Sequence, residues 1–114
     1  MVTAMRLTDI ELEVMNILWQ SGIPMTASDI IEASPGRTWK ESSIHVILKT
    51  LQAKNAVLMD HYVPTTGRAA KAYKAALTTA QYVASHVLEF DIALSDLLLA
   101  IVEDEKYAEK FPEE

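Results

Sequence analysis

The chain has 114 residues, half of them apolar, no cysteine and a net charge of −6. That is enough apolar material for one small domain with a real core, and it excludes disulfide staples, thiolate metal sites and a cysteine nucleophile. The longest aliphatic stretch, Leu97 to Val102, is far short of the roughly 20 residues of a membrane span, so a cytoplasmic protein without membrane contact is expected.

The first helix is marked at both ends. Thr8 and Glu11 stand at capping-box spacing, and Leu7 with Leu12 at that of a hydrophobic staple. Ile10, Val14, Ile17 and Leu18 carry the apolar face, and Gly22 with Pro24 closes it, giving a helix over about 9 to 20. Thr26 with Asp29 repeats the box and Met25 with Ile30 the staple, so a short helix follows until Ser34, Pro35 and Gly36 turn the chain.

The third helix carries Ile44, Ile47, Leu48 and Leu51 on one face, the i, i+3, i+4, i+7 set of a half-buried helix. Ser42, His45, Val46 and Lys49, flanked by Ser43 and Thr50, point the other way and are offered to something outside. Its start is open between a box formed by Thr38 with Glu41 and Lys40 as the last non-helical residue. After Asn55 the period changes: Val57 to Val63 and Lys71 to Ala75 read as two strands around a turn cluster from Pro64 to Arg68.

From Thr78 helical spacing returns, with Val83, Val87 and Phe90 in one segment and Leu94, Leu97, Leu98 and Ile101 in another. Asp91 or Ser95 stands as a cap between them. Leu88, Ile92, Leu99 and Val102 make these segments apolar over more than one face, which calls for a partner; a second copy of the chain is the simplest. The fold class is mainly α with a small β-hairpin, in two parts: 1–76, and 77–114 with an acidic tail.

Charge is sorted along this plan. Between Arg37 and Lys74 lie seven of the ten basic residues (Arg37, Lys40, Lys49, Lys54, Arg68, Lys71, Lys74) and only two acids, Glu41 and Asp60; the segment is +5 in an otherwise −11 chain. Cations on an outward helix face and a hairpin are the footprint of a surface that displaces counterions from nucleic acid. His45 faces outward, as a base contact or as a passive surface residue. His61 and His86 have no ligand at metal spacing, and no metal or cofactor is expected. Trp19 and Trp39 suit core or helix-packing roles better than base stacking. No Gly-rich phosphate loop or nucleophile elbow is present, so an enzyme is not expected. Glu103-Asp104-Glu105 with Glu113 and Glu114 reads as a solvated acidic tail lying away from the basic face.

Three stretches, in order and at matching spacing, resemble the penicillinase repressors and copper-responsive repressors. They are Leu7-Thr8-Asp9-Ile10-Glu11-Leu12-Glu13-Val14-Met15-Asn16-Ile17-Leu18-Trp19, Ser42-Ser43-Ile44-His45-Val46-Ile47-Leu48-Lys49-Thr50-Leu51-Gln52-Ala53-Lys54 and Gly67-Arg68-Ala69-Ala70-Lys71-Ala72-Tyr73. The resemblance covers about Leu7 to Phe90. It implies a winged helix-turn-helix with C-terminal dimerisation helices, acting as a homodimeric transcriptional repressor on an inverted-repeat DNA operator. The third helix would lie in the major groove and the hairpin wing against the backbone.

Carried over by position, base reading falls on Ser42, Ser43, His45, Val46 and Thr50, and the wing cation on Arg68. Lys40, Lys49, Lys54, Arg68 and Lys71 are the expected phosphate contacts. Val83, Val87, Phe90, Leu94, Leu97, Leu98 and Ile101 are the expected dimerisation residues. Thr50 stands where relatives commonly carry Arg, with Lys49 beside it to supply charge, and Asn55 replaces a common Gly. The cysteine cluster of the copper-responsive members is absent, which excludes thiolate copper sensing. Penicillinase-type repressors are inactivated by cleavage of an Asn-Phe bond; the only Asn residues here, Asn16 and Asn55, do not precede Phe, so the sensor or protease partner and the releasing signal stay unknown. The competing reading is a winged-helix module whose C-terminal helices bind a different protein.

Overall fold

A computed structural model describes residues 6–112. Helix α1 spans Asp9–Ser21, and both halves of its capping box form: Glu11 N–H donates to Thr8 Oγ1 (3.2 Å) and Thr8 N–H to Glu11 Oε1 (2.8 Å). Gly22 closes the helix in the left-handed conformation (φ 68°), its N–H on the Leu18 carbonyl. The inward face is Glu11, Val14, Met15 and Leu18 rather than one including Ile10, which is exposed. Rotation of about 100° per residue from Val14 and Leu18 swings Ile10 to the edge of the stripe.

The second capping box also forms, between Thr26 and Asp29, and opens α2 (Ala27–Glu32). Ser34 is buried after it, its hydroxyl on the Ile30 carbonyl at 2.7 Å. Met25–Thr26 form a strand, β1, that was not expected; two residues are too few to show alternation, and only pairing with Tyr73 and Ala72 defines it.

Lys40, not Thr38, precedes the next element. Thr38 is held instead by Glu13, which accepts its backbone N–H at 3.2 Å and also its hydroxyl. One turn of 3-10 helix, Glu41–Ser43, leads into α3 (Ile44–Ala53). Lys54 ends α3 and Asn55 follows in the left-handed region (φ 61°), a conformation that Asn tolerates better than most other side chains.

The hairpin is longer than its composition suggested. Strand β2 covers Val57–Thr65 and β3 covers Arg68–Ala75, paired from Val57↔Ala75 to Thr65↔Arg68, so the turn is only Thr66-Gly67. Pro64 fits inside β2 because the sheet order β1-β3-β2 leaves that strand at an edge. The register shifts between Met59 and His61, with Asp60 as the extra residue. Gly67 takes φ 84°, and nothing lies within 4 Å of where a Cβ would stand.

Three helices follow instead of two: α4 (Thr79–Val87), α5 (Leu94–Glu103) and α6 (Glu105–Lys110). Phe90 lies beyond the end of α4. Neither Asp91 nor Ser95 caps α5; Ala93 holds that position with no side-chain bond. The stretch read as a solvated tail is partly helical because Asp104 caps α6, accepting from Lys106 N–H at 2.8 Å. Glu113 and Glu114 lie outside the described residues. No described helix is long and apolar enough to cross a membrane.

The core is one cluster in which Met15, Ile30, Ile44, Leu48, Leu51 and Val57 are among the fully buried members, with Trp39 at its edge. Every buried apolar side chain among the described residues lies between Val14 and Ala72. The C-terminal helices extend from this body, and the radius of gyration is 16.7 Å against about 13 Å for a compact chain of this length.

An ion pair ties the ends of α1 and α3. Lys54 Nζ lies 2.6 Å from Glu11 Oε1 and 2.8 Å from the Arg6 carbonyl. Burial pushes the Glu11 carboxyl up, but the Lys54 ammonium and the bonds from Thr8 outweigh it and hold the group below the usual carboxylate range.

Lys54→Met and Glu11→Gln should each lower unfolding free energy by about 1.5–3 kcal/mol at neutral pH, the usual span for a hydrogen bond to a charged group. A lowered folded-state value means the contribution is complete above the ordinary carboxylate range and is lost as pH falls through the depressed value. Denaturation midpoints that differ between wild type and Glu11→Gln as much in strong acid as at neutrality would contradict this. At the turn, Gly67→Ala should cost about 1–2 kcal/mol by backbone strain alone. Gly36→Ala, at a position without positive φ and with open space around it, should lose nothing measurable in the same thermal melts.

Candidate nucleic-acid interface

Folding of α3 follows its periodicity. Ile44, Ile47, Leu48 and Leu51 are buried, while His45, Val46, Lys49 and Thr50 are exposed. Val46 is 67% exposed, an apolar side chain that the core does not use. Thr50 gives its hydroxyl proton to the Val46 carbonyl at 3.0 Å, leaving its lone pairs and methyl to face outward. Ser42 and Ser43 sit on the 3-10 turn before α3, Ser42 exposed and Ser43 half-buried, so they approach from the helix's N-terminal end rather than from its side.

The hairpin brings its cations to the same side. A groove of about 500 Å³ runs between the start of α2, the start of α3 and β3, lined by Thr26, Ala27, Ser28, His45, Thr65, Arg68, Ala69, Ala70, Lys71 and Tyr73. His45, Arg68 and Lys71, read from separate stretches of sequence, thus share one concave surface. Ala69 and Ala70 keep its wall low, and Thr65 bonds the Arg68 carbonyl through its hydroxyl, bracing the turn. Thr26, Ser28 and Tyr73 were not expected in it; their sequence roles as cap, helix surface and strand carry no sign of a shared groove.

The structure divides the seven clustered cations into two groups. Arg37 is structural: its guanidinium lies 3.2 Å from Glu41, donates to the carbonyls of Ile31 and Ser34, and stacks over Trp39 at 5.6 Å. Lys74 pairs with Asp60 at 3.1 Å. His61, at 2.6 Å, and Lys74 together hold the Asp60 carboxyl below its ordinary range. Lys54 was expected to meet phosphate, but its ammonium is engaged by Glu11 and the Arg6 carbonyl, at the end of α3 farthest from Ser42. Lys40, Lys49, Arg68 and Lys71 are exposed and have no ion pair among the described residues.

The tryptophans fall where packing roles predict. Trp39 is buried, Trp19 is half-buried with its indole N–H on the Leu77 carbonyl at 2.9 Å, and among the described residues no cluster of His, Asp or Glu is arranged to hold a metal. Of the expected dimerisation residues, Val83, Phe90, Leu94, Leu98 and Ile101 are exposed and Val87 and Leu97 half-buried. Val83, Val87, Phe90 and Leu97 line one apolar groove of about 640 Å³ between α4 and α5.

Comparison with curated proteins finds no match. A family model described as penicillinase repressor matches residues 7–111, which takes in the capped first helix, the exposed face of α3, the wing and the C-terminal helices. The chain therefore belongs to the penicillinase repressor family, a family of DNA-binding transcriptional repressors.

Proposed function

We propose that this repressor works as a cytoplasmic homodimer that occludes an inverted-repeat operator, each copy setting α3 into the major groove of one half-site and the hairpin beside it against the backbone. The observation that carries this reading is the groove shared by His45, Arg68 and Lys71. It joins the outward face of α3 to the wing, and its two cations belong to the set without an ion pair among the described residues. Lys40, Lys49, Arg68 and Lys71 are positioned for phosphates and orient the protein; Ser42, Ser43, His45, Val46 and Thr50 meet base edges. Val46 suits the methyl group of thymine, which a short apolar side chain reads in the major groove. Lys54 is left out of the contact set, because freeing it would strand the buried Glu11 carboxylate.

The dimer is supported by apolar exposure concentrated in the C-terminal helices. Leu88, Phe90, Leu94, Leu98, Leu99 and Val102 are each more than half exposed in a single copy, and no buried core exists there to hold them. Contiguous apolar surface of this kind marks an interface, and a closed twofold arrangement matches a palindromic site. Seating a chain of different sequence on the same helices is the competing reading, and it predicts a monomer in isolation.

DNA selected from a random pool should bind with an affinity that falls with salt, log K changing by about −0.9 per phosphate neutralised. Arg68→Ala and Lys71→Ala should each flatten that slope by about one such unit on every sequence, and Lys74→Ala should leave it unchanged because Asp60 already neutralises that ammonium. A slope equally sensitive to Lys74 would remove the basis for the sorting. Leu98→Asp should give monomers by sedimentation, with the DNA-binding body still folded and much weaker binding to the full inverted repeat, since burying an unpaired carboxylate in the seam is strongly unfavourable. Wild type sedimenting as a monomer at micromolar concentration while binding the repeat at full affinity would overturn the dimer.

A further inference from the structure

The residues around 76 and 77, where the two parts of the chain meet, are tied down one after another. Ala76 N–H donates to the Ala56 carbonyl at 2.8 Å, and the Leu77 carbonyl accepts the Trp19 indole N–H at 2.9 Å. Thr78 then opens α4 through a reciprocal box with Gln81, at 2.8 and 3.0 Å. Leu77 packs against the core. A connection in which each successive residue is anchored transmits direction, whereas a Gly/Ser coil does not.

Helix α4 is also held along its length. The Trp19 ring lies 5.9 Å from Tyr82, and Tyr82 meets His86 edge-on at 4.6 Å. At the far end the Arg6 guanidinium lies 2.8 Å from the Glu89 carboxylate, while the Arg6 carbonyl accepts from Lys54 at the end of α3. Residues 88–93 then run without helix to α5.

We propose that Trp19, acting through Leu77 and Tyr82 with Arg6 as a second tie, is a positioning residue for operator geometry. It makes α4 a rigid extension of the DNA-binding body and leaves the molecule's freedom at 91–93, beyond the residues that Arg6 and the last turn of α4 hold. The inference rests on the homodimer reading. In a dimer joined through the C-terminal helices, the direction of α4 sets the separation and relative rotation of the two α3 helices, and so the half-site spacing the protein accepts. Trp19, Tyr82 and Arg6 do not line the groove of His45, Arg68 and Lys71, so this control is exerted without touching a base.

The experiment measures affinity for inverted repeats that differ only in spacer length, for full-length wild type, Trp19→Phe and Tyr82→Leu. Trp19→Phe keeps a ring but removes the N–H donor; Tyr82 also lines the apolar groove between α4 and α5, so Leu keeps that wall apolar while removing the ring that meets Trp19, and the test stays available even if the first variant folds poorly. Each added base pair rotates one half-site by about 34°, so wild type should show a sharp optimum, losing about tenfold or more one or two base pairs away from it as simultaneous engagement fails. Both variants should remain dimers and bind a single half-site as wild type does, while their spacing profile flattens to within about threefold. Dimeric variants that keep the sharp wild-type optimum would overturn the positioning role alone. A wild type that is monomeric, or indifferent to the second half-site, would overturn the homodimer reading and this inference with it, and would be seen before any variant is compared.

Discussion

Burial of Ile44, Ile47, Leu48 and Leu51 against α1 and α2 is the contact on which the rest of this protein depends. Four such side chains supply about 1.5–3 kcal/mol each on leaving water, and because they occupy one face they also fix the roll of α3. With the roll fixed, His45, Val46, Lys49 and Thr50 have nowhere to point but outward. The proposed base contacts and the core therefore occupy opposite faces of the same ten residues. The two end fastenings, the 3-10 turn before Ile44 and the Lys54–Glu11 pair after it, keep that roll from drifting.

Charge is used in two ways within one basic segment. Arg37, Lys54 and Lys74 neutralise carboxylates and satisfy carbonyls inside the fold, and the Lys54 pair is sheltered enough to matter for stability. Lys40, Lys49, Arg68 and Lys71 are left in water, where a cation is easily surrendered to phosphate at little desolvation cost. Exposed pairs such as Lys74 with Asp60 contribute little to stability but still remove a charge from the surface potential. The acidic remainder of the chain works in the same sense for the proposed interface, since it repels phosphate away from the basic segment.

The C-terminal helices invert the economy of the body. They carry abundant leucine and valine yet fully bury none of it in a single copy, so their order is tied to whatever covers them. Helix α4 is the exception, since its root is fastened to the linker by Trp19 and its end to Arg6. In the proposed dimer that asymmetry would give an arm fixed near the core and adhesive farther out, a division suited to holding two copies of α3 at a set distance.

Much of this was legible in the residues themselves, where the governing interaction is local. Capping boxes at Thr8 and Thr26 act over three residues, helical periodicity over one or two turns, and the outward positions of α3 follow from the inward ones. The sequence by itself therefore determined the order of the helices up to the wing, the outward face of α3 and the family. What it did not determine are partnerships between distant residues. Strand β1 exists only because β3 comes alongside it, and Lys54 is claimed by Glu11 43 positions away. Thr38 turned to Glu13 rather than capping its own helix, and Trp19 found Leu77 across 58 residues. Composition shows a lysine as a cation wherever it stands. Only the tertiary structure decides whether a carboxylate already faces it, because that depends on which elements the core has brought together, not on the neighbours it has in the chain.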